Sequence, residues 1–264
     1  MNIVVFFSVL CDTDEVLKST WAQLGVENID LGYASRIINP YDETAIEYAL
    51  RIKDAAVEKG ETVEITLFTL GEDIPSTITE NLFAVGVDYI HCIEQPTFDF
   101  LNTEFQLRAV EQYLRNNSFD YFFMGQQNSY SCDSSLGVRL AARLGLPYVG
   151  YIADLHYDDG KLQVKRYTEK GFHSANVSSA AVFSFENTEH PYLRIATLRE
   201  RLKTRGKTVV SLPAFSEEAQ SRHMVLESFE YHPAVRKCVK IEGASVEEQA
   251  TALLDLFCEE VADV

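Results

Sequence analysis

The residues with the clearest chemical potential lie between an apolar segment and a helical pattern: Gly125, Gln126, Gln127, Asn128, Ser129, Tyr130, Ser131, Cys132, Asp133, Ser134, Ser135 and Leu136. They follow a strand pattern at 120–124 and open a helix pattern at 134–144 that Gly145 ends, the place where an α/β sheet presents ligands. A helix N-terminus has amides without intrahelical acceptors and a partial positive charge, so a loop of small residues there can wrap an anion, most simply a phosphate. Gly125 permits close backbone approach, the amides and hydroxyls that follow add donors, and Asp133, Ser134 or Ser135 can cap the helix. The loop has no Lys or Arg, unlike a Walker A motif, which suggests holding a nucleotide without turning it over. A plain strand-to-helix connection has the same composition of turn formers, and no GxGxxG is present.

A second constellation sits at Asn39, Pro40, Tyr41 and Asp42, an extended turn before a helix pattern at 42–59. Asp42 is the expected cap, Ala45, Ile46, Ala49, Leu50, Ile52 and Ala56 form one apolar stripe, and Gly60 stops the helix. This geometry can present Asn39 and backbone groups to a base or ribose. Other chemistry is poorly supported. The six histidines show no metal-binding spacing, there is no GxSxG, and Ser129 or Ser134 lacks an identifiable base. No metal site is expected.

The elements that must position these residues read as alternating strands and helices. Strand patterns at 2–10, 63–70 and 120–124 are interleaved with helix patterns at 42–59, 77–85 and 104–114, which predicts an α/β fold: a mainly parallel sheet with helices on both faces. After Pro147 the texture changes to three or four strands joined by short turns, a β-meander addition. From Ala214 onward strand signals fade, and a final helix at 245–261 carries the apolar stripe Val246, Ala250, Leu253, Leu254 and Phe257. We expect an α/β domain over 1–212 and a C-terminal arm over 213–264.

Charge narrows the partners. With 23 Lys+Arg against 40 Asp+Glu, the net charge of -17 opposes binding to nucleic acid or an anionic membrane. The N-terminal apolar run is too short for a membrane span and lacks a basic flank, and five scattered cysteines support no disulfide framework, so a cytoplasmic location is expected.

Taken together, the first strand, the Asn39–Asp42 turn, Leu70-Gly71-Glu72, the loop at Gly125 and the LGLPYVGYIADL segment resemble the β subunit of electron-transfer flavoproteins, particularly the form partnering methylamine-type dehydrogenases. The resemblance covers about residues 1–212. It implies a Rossmann-like, adenine-nucleotide-binding domain that pairs with an α subunit holding FAD, accepts electrons from a flavin-dependent dehydrogenase, and binds a structural AMP without bond chemistry of its own. The AMP contacts it implies are Phe6, Asn39, Pro40, Tyr41, Asp42, Leu70 and Gly125 through Leu136. Tyr130 and Cys132 stand where many members are acidic. Members that split electron pairs carry a second FAD in this pocket. The resemblance also places Asp12 and Thr13 near the α subunit's flavin, with Cys11 in place of a proline.

Residues 187–207 concentrate Arg194, Arg199, Arg201, Lys203, Arg205 and Lys207 in an acidic chain. The same resemblance makes Arg194, Ile195, Ala196, Thr197, Leu198 and Arg199 the partner-docking segment, with Leu198 as the exposed anchor. The stretch Pro191-Tyr192-Leu193-Arg194 is two residues longer than the usual Pro-Arg. On spacing alone, Leu198 and Leu202 also fit a helix with its apolar side in the core. A free-standing stress-type module sensing ATP or AMP would share the fold, but such modules normally end at the sheet, without this segment or the arm.

Overall fold

The computed structural model describes residues 1–21, 33–71, 74–94, 103–128, 133–158, 160–186, 188–214 and 239–262. Ser129, Tyr130, Ser131 and Cys132 lie outside the described residues.

The central strands form from short runs of β-branched and aromatic residues that are buried on both faces. In chain order the chain forms β1 (Asn2–Phe6), β2 (Val9–Cys11), a 3-10 turn (Thr13–Glu15), α1 (Lys18–Trp21), β3 (Arg36–Ile38) and α2 (Pro40–Glu58). It continues through β4 (Glu64–Gly71), α3 (Ser76–Val85), β5 (Tyr89–Glu94), α4 (Thr103–Asn116), β6 (Tyr121–Gly125) and α5 (Leu136–Leu144). Then come β7 (Tyr148–Asp158), β8 (Lys161–Thr168), β9 (Gly171–Val177), β10 (Ala181–Phe185), α6 (Leu198–Lys203), β11 (Val210–Leu212) and α7 (Val246–Ala262).

Nine strands make one sheet in the order β11-β5-β4-β1-β6-β10-β7-β8-β9, and β2 pairs with β3 in a separate antiparallel ribbon. Pairing is parallel from β11 to β7 and antiparallel across β7, β8 and β9. Alternation along each strand divides the core. Ile3, Val5, Phe123 and Phe183 face the side covered by α2 and α3, where Ile46, Leu50 and Leu82 pack. Val4, Phe122 and Val182 face α4 and α5, meeting Leu107, Val110 and Leu140. The expected α/β class with helices on both faces is what forms.

Three differences from the sequence expectation bear on the site. The first strand ends at Phe6 because Ser8 leaves the ladder: its amide donates to Asp42 Oδ2 at 2.9 Å, and its carbonyl accepts from the Asn39 amide at 2.9 Å. The chain then re-enters an extended path as β2. Helix α2 begins earlier than expected, with Asn39 at the N-cap and Pro40 as the first helical residue, where a missing N–H costs nothing. Asp42 is therefore a buried first-turn residue and not the cap. The last strand of the expected meander, β10, leaves it and inserts between β6 and β7, parallel to both. Gly60 follows α2 with φ +76, a left-handed conformation that suits glycine at a helix end.

Helix α7 forms over nearly the expected span, and Val246, Leu253, Leu254 and Phe257 are exposed. Among the described residues no helix is long and apolar enough to cross a membrane, and no group of His, Cys, Asp and Glu could hold a metal ion.

Candidate functional site

The site grows from a junction of three chain segments at the C-terminal edge of the sheet. Asp42 is buried, and its carboxyl accepts from the Gly125 amide at 2.8 Å through Oδ1 and from the Ser8 amide at 2.9 Å through Oδ2. One side chain thus staples the start of α2 to the ends of β1 and β6. Burial pushes this carboxyl up to about 7, outweighing the hydrogen bonds from Asn39, Ser8 and Gly125 that favour ionisation.

Gly125 is required sterically. A Cβ there would lie 2.5 Å from Asp42 Oδ1 and 2.7 Å from Tyr41 Cβ, so only a residue without a side chain lets α2 approach β6 this closely. Above the junction Asn39, also buried, donates from Nδ2 to the Gln127 carbonyl at 3.0 Å, and Gln127 Nε2 donates to Tyr41 Oη at 2.6 Å. The turn before α2 and the loop after β6 are therefore hydrogen-bonded across 88 residues of sequence.

On the far side Asp133 accepts from Thr103 Oγ1 at 2.5 Å and from the Ser135 amide at 2.8 Å. Burial opposes its ionisation, but these hydrogen bonds and nearby Arg139 prevail and hold the carboxyl below its ordinary range. Ser135 occupies the N-cap of α5 without a side-chain cap hydrogen bond, so Asp133 supplies the acceptor from two residues upstream. The first-turn amides of Leu136, Gly137 and Val138 have no intrahelical acceptors.

These groups converge on one cleft lined by Phe6, Ser8, Asn39, Asp42, Thr103, Gln106, Met124, Gly125, Gln127, Asn128, Asp133 and Leu136. Its apolar wall comes from Phe6, Met124 and Leu136. Its polar lining is mostly neutral, with two aspartates as the acidic members and no Lys or Arg among the described lining residues. Such a lining presents neutral hydrogen-bonding groups and the first turn of α5 to whatever enters the cleft.

Of the residues expected here, Phe6, Asn39, Asp42, Gly125, Gln127, Asn128, Asp133 and Leu136 come together. Tyr41 lies behind the wall as a partner of Gln127, and Pro40 is exposed at the first turn of α2. Leu70 is buried at the end of β4 in the core beneath α4. Gln126 turns away, its Oε1 accepting from Ser184 Oγ at 2.5 Å and from the Tyr151 amide at 3.3 Å, where Tyr151 adopts φ 56. Ser134 and Ser135 are outside the cleft lining.

Sequence reasoning missed Ser8, Thr103, Gln106 and Met124. Gln106 had a readable signal, a buried amide on the apolar face of α4 between Phe105 and Leu107. Ser8 had none, because its partner is 34 residues away.

The second expected site is a short ordered segment between β10 and β11. Thr197 caps α6, its Oγ1 accepting from the Glu200 amide while the Glu200 carboxylate accepts from the Thr197 amide at 2.7 Å, a reciprocal capping box. Ala196 is buried and its amide donates to Asn81 Oδ1 at 3.2 Å. Leu198 is 74% exposed, Leu202 62% and Ile195 83%, so the alternative of a core-facing leucine pair does not hold. Arg199 is exposed. Arg194 instead turns inward to Glu47 and Asp54 on α2. Asp12 and Thr13 lie apart from the cleft lining, where Asp12 caps the 3-10 turn by accepting from the Asp14 amide at 3.0 Å.

The electron transfer flavoprotein domain model matches residues 31–214, more than half of the chain. Three relatives named electron transfer flavoprotein subunit beta align over most of both chains. That of Syntrophomonas wolfei is 29% identical, covering 92% of this chain and 90% of its own. That of Megasphaera elsdenii is 26% identical with 86% and 83% covered, and that of Methylophilus methylotrophus is 23% identical with 88% and 89% covered. The chain belongs to the electron transfer flavoprotein family, as a β-subunit-like electron carrier rather than an enzyme.

Proposed function

We propose that the chain is the β subunit of a cytoplasmic heterodimeric electron-transfer flavoprotein that takes electrons from a flavin-dependent dehydrogenase and holds AMP in the cleft between α2 and α5. The observation that carries the cleft assignment is the Asp42 staple, which brings the Asn39 turn and the Gly125 loop to one opening with an uncapped helix N-terminus. The residues fit an adenine nucleotide. Phe6, Met124 and Leu136 give a ring an apolar face, Asn39 and Gln127 give the sugar and base polar partners, and the first turn of α5 suits a phosphate. The absence of a cation among the described lining residues favours holding over hydrolysis. FAD, held mainly by the α subunit, would supply the redox chemistry.

The arm, residues 213–264, is assigned to the α subunit. The apolar residues of α7 are exposed in the isolated chain, which supports burial against a partner. Asp12 and Thr13 are assigned to the wall near the flavin.

Mass spectrometry of nucleotides released by denaturing the native heterodimer tests the cleft. One FAD and one AMP per heterodimer is the expected result. Two FAD would replace AMP by a second flavin, as in a subunit that splits electron pairs, and neither would overturn the pocket. A chain that is monodisperse alone, binds ATP and brings down no flavoprotein subunit from its host would overturn the whole reading.

The exposed anchor gives a separate prediction. Leu198→Asp leaves the unfolding midpoint nearly unchanged, within about 0.5 kcal/mol for an exposed side chain. It slows reduction of the heterodimer by its dehydrogenase at least ~tenfold, as expected for a central contact residue. Stopped-flow reduction alongside a urea titration separates the two effects, and an unchanged rate would exclude Leu198 from docking.

A further inference from the structure

We infer that Arg194 is a positioning residue, an internal clamp that holds the docking segment in its binding shape and does not itself meet the dehydrogenase. The inference rests on the docking role proposed above for residues 194–199. The Arg194 guanidinium donates from Nε to both Glu47 oxygens at 3.1 and 3.0 Å, from Nη2 to Glu47 Oε1 at 2.8 Å, and from Nη1 to Asp54 Oδ2 at 2.6 Å. Its backbone amide also donates to Glu47 Oε2 at 3.1 Å. The Glu47 carboxylate is nearly all buried, with 7% of its side chain exposed, and so depends on this partner. One turn earlier on α2, Thr44 Oγ1 donates to the Pro191 carbonyl at 3.0 Å.

The clamp falls where this chain carries two more residues than the resembled pattern. Immediately after it, Ile195 and Leu198 point outward around a buried Ala196. Beyond the packing of Leu193 and Ala196, the segment is held to α2 by the four guanidinium hydrogen bonds of Arg194 and the one from its backbone amide. Ordering the segment before encounter removes an entropy cost from docking. Arg199, exposed and in no ion pair among the described residues, remains to steer an acidic partner surface.

The test uses the assembled heterodimer and the flavin dehydrogenase of the same host. Arg194→Met raises KM for the heterodimer about tenfold at unchanged kcat, because it loses a pre-ordered surface. It keeps the wild-type dependence of KM on ionic strength, whereas Arg199→Met flattens that dependence. Arg194→Lys gives an intermediate KM, since an ammonium cannot reproduce the fork. Hydrogen exchange of the free heterodimer shows the Ala196 and Glu200 amides of Arg194→Met exchanging about tenfold faster, with β6 and β10 unchanged.

A flattened salt dependence in Arg194→Met would make Arg194 a docking cation and overturn the inference, as would wild-type KM and exchange. Should that variant fail to assemble, Asp54→Asn removes only the charge of the exposed outer acceptor. It is expected to move KM and exchange in the same direction by a smaller factor, and no movement overturns the inference. A wild-type heterodimer that accepts no electrons from the dehydrogenase defeats the functional reading instead, while hydrogen exchange still judges the clamp.

Discussion

Asp42→Ala unfolds at a clearly lower urea concentration than the wild type, a loss of about 2–4 kcal/mol, and the AMP proposed for the cleft is lost from the purified heterodimer. The substitution leaves the Ser8 and Gly125 amides buried without their acceptor, and each such donor costs ~1–3 kcal/mol. Relief from burying a carboxyl offsets part of that sum. The nucleotide is lost because the same bonds set the distance between the Asn39 turn and the Gly125 loop.

The pH dependence separates the protonated from the ionised staple. Burial raises the folded-state pKa from 3.8 to about 7, so the contribution of this group is whole below about pH 3.8 and is lost as pH rises through about 7. The slope reaches ~1.4 kcal/mol per pH unit within that window. Asp42→Asn has no titration at this position, so the stability gap between wild type and variant is widest near pH 4 and narrows toward pH 8. A gap that widens with pH would mean that the two amides keep Asp42 ionised in the fold.

The sheet and its helices were legible because each strand and helix carries its own period. The buried strands IVVF and YFFM and the amphipathic run from Ala45 to Ala56 declare themselves locally. The site was legible only in outline. Asn39, Gly125 and Asp133 stand in turn-forming sequences beside strand ends, which marks where a ligand site can be, but the bonds that join these segments across the cleft span 30 to 88 residues. Asp42 reads as a cap because a carboxylate near a helix start usually is one. It becomes a staple only because β1 and β6 end beside it. Gln126 reads as one donor among several, and only the neighbouring Ser184 and Tyr148 decide that it faces the sheet. Arg194 reads as one cation in a basic run. Its acceptors, Glu47 and Asp54, lie seven residues apart on α2, two turns along one helix face, and nothing in the basic run itself announces them.

Gly125→Ala is expected to cost ~3 kcal/mol or more, the upper end for overpacking, because the atoms that a methyl meets are not the free ends of flexible side chains. Besides Asp42 Oδ1 at 2.5 Å and Tyr41 Cβ at 2.7 Å, the Asp42 amide nitrogen stands 3.0 Å away. Helix α2 cannot simply recede. Its Tyr48 ring stacks on Phe185 with centroids 5.3 Å apart, its Tyr48 hydroxyl donates to Asp154 at 3.2 Å, and its Glu47 holds Arg194. The strain therefore falls on the Asn39 turn, which also lines the cleft, so the content of the AMP proposed there drops together with the urea midpoint. Combining the substitution with Asp42→Ala gives less than the sum of the two losses by about 1 kcal/mol or more, since the double variant lacks both the staple and the nearest clash. Strict additivity would show that the methyl is accommodated elsewhere. A Gly125→Ala heterodimer that keeps its AMP and loses less than about 1 kcal/mol would show that α2 and β6 are not in the tight register on which the cleft depends.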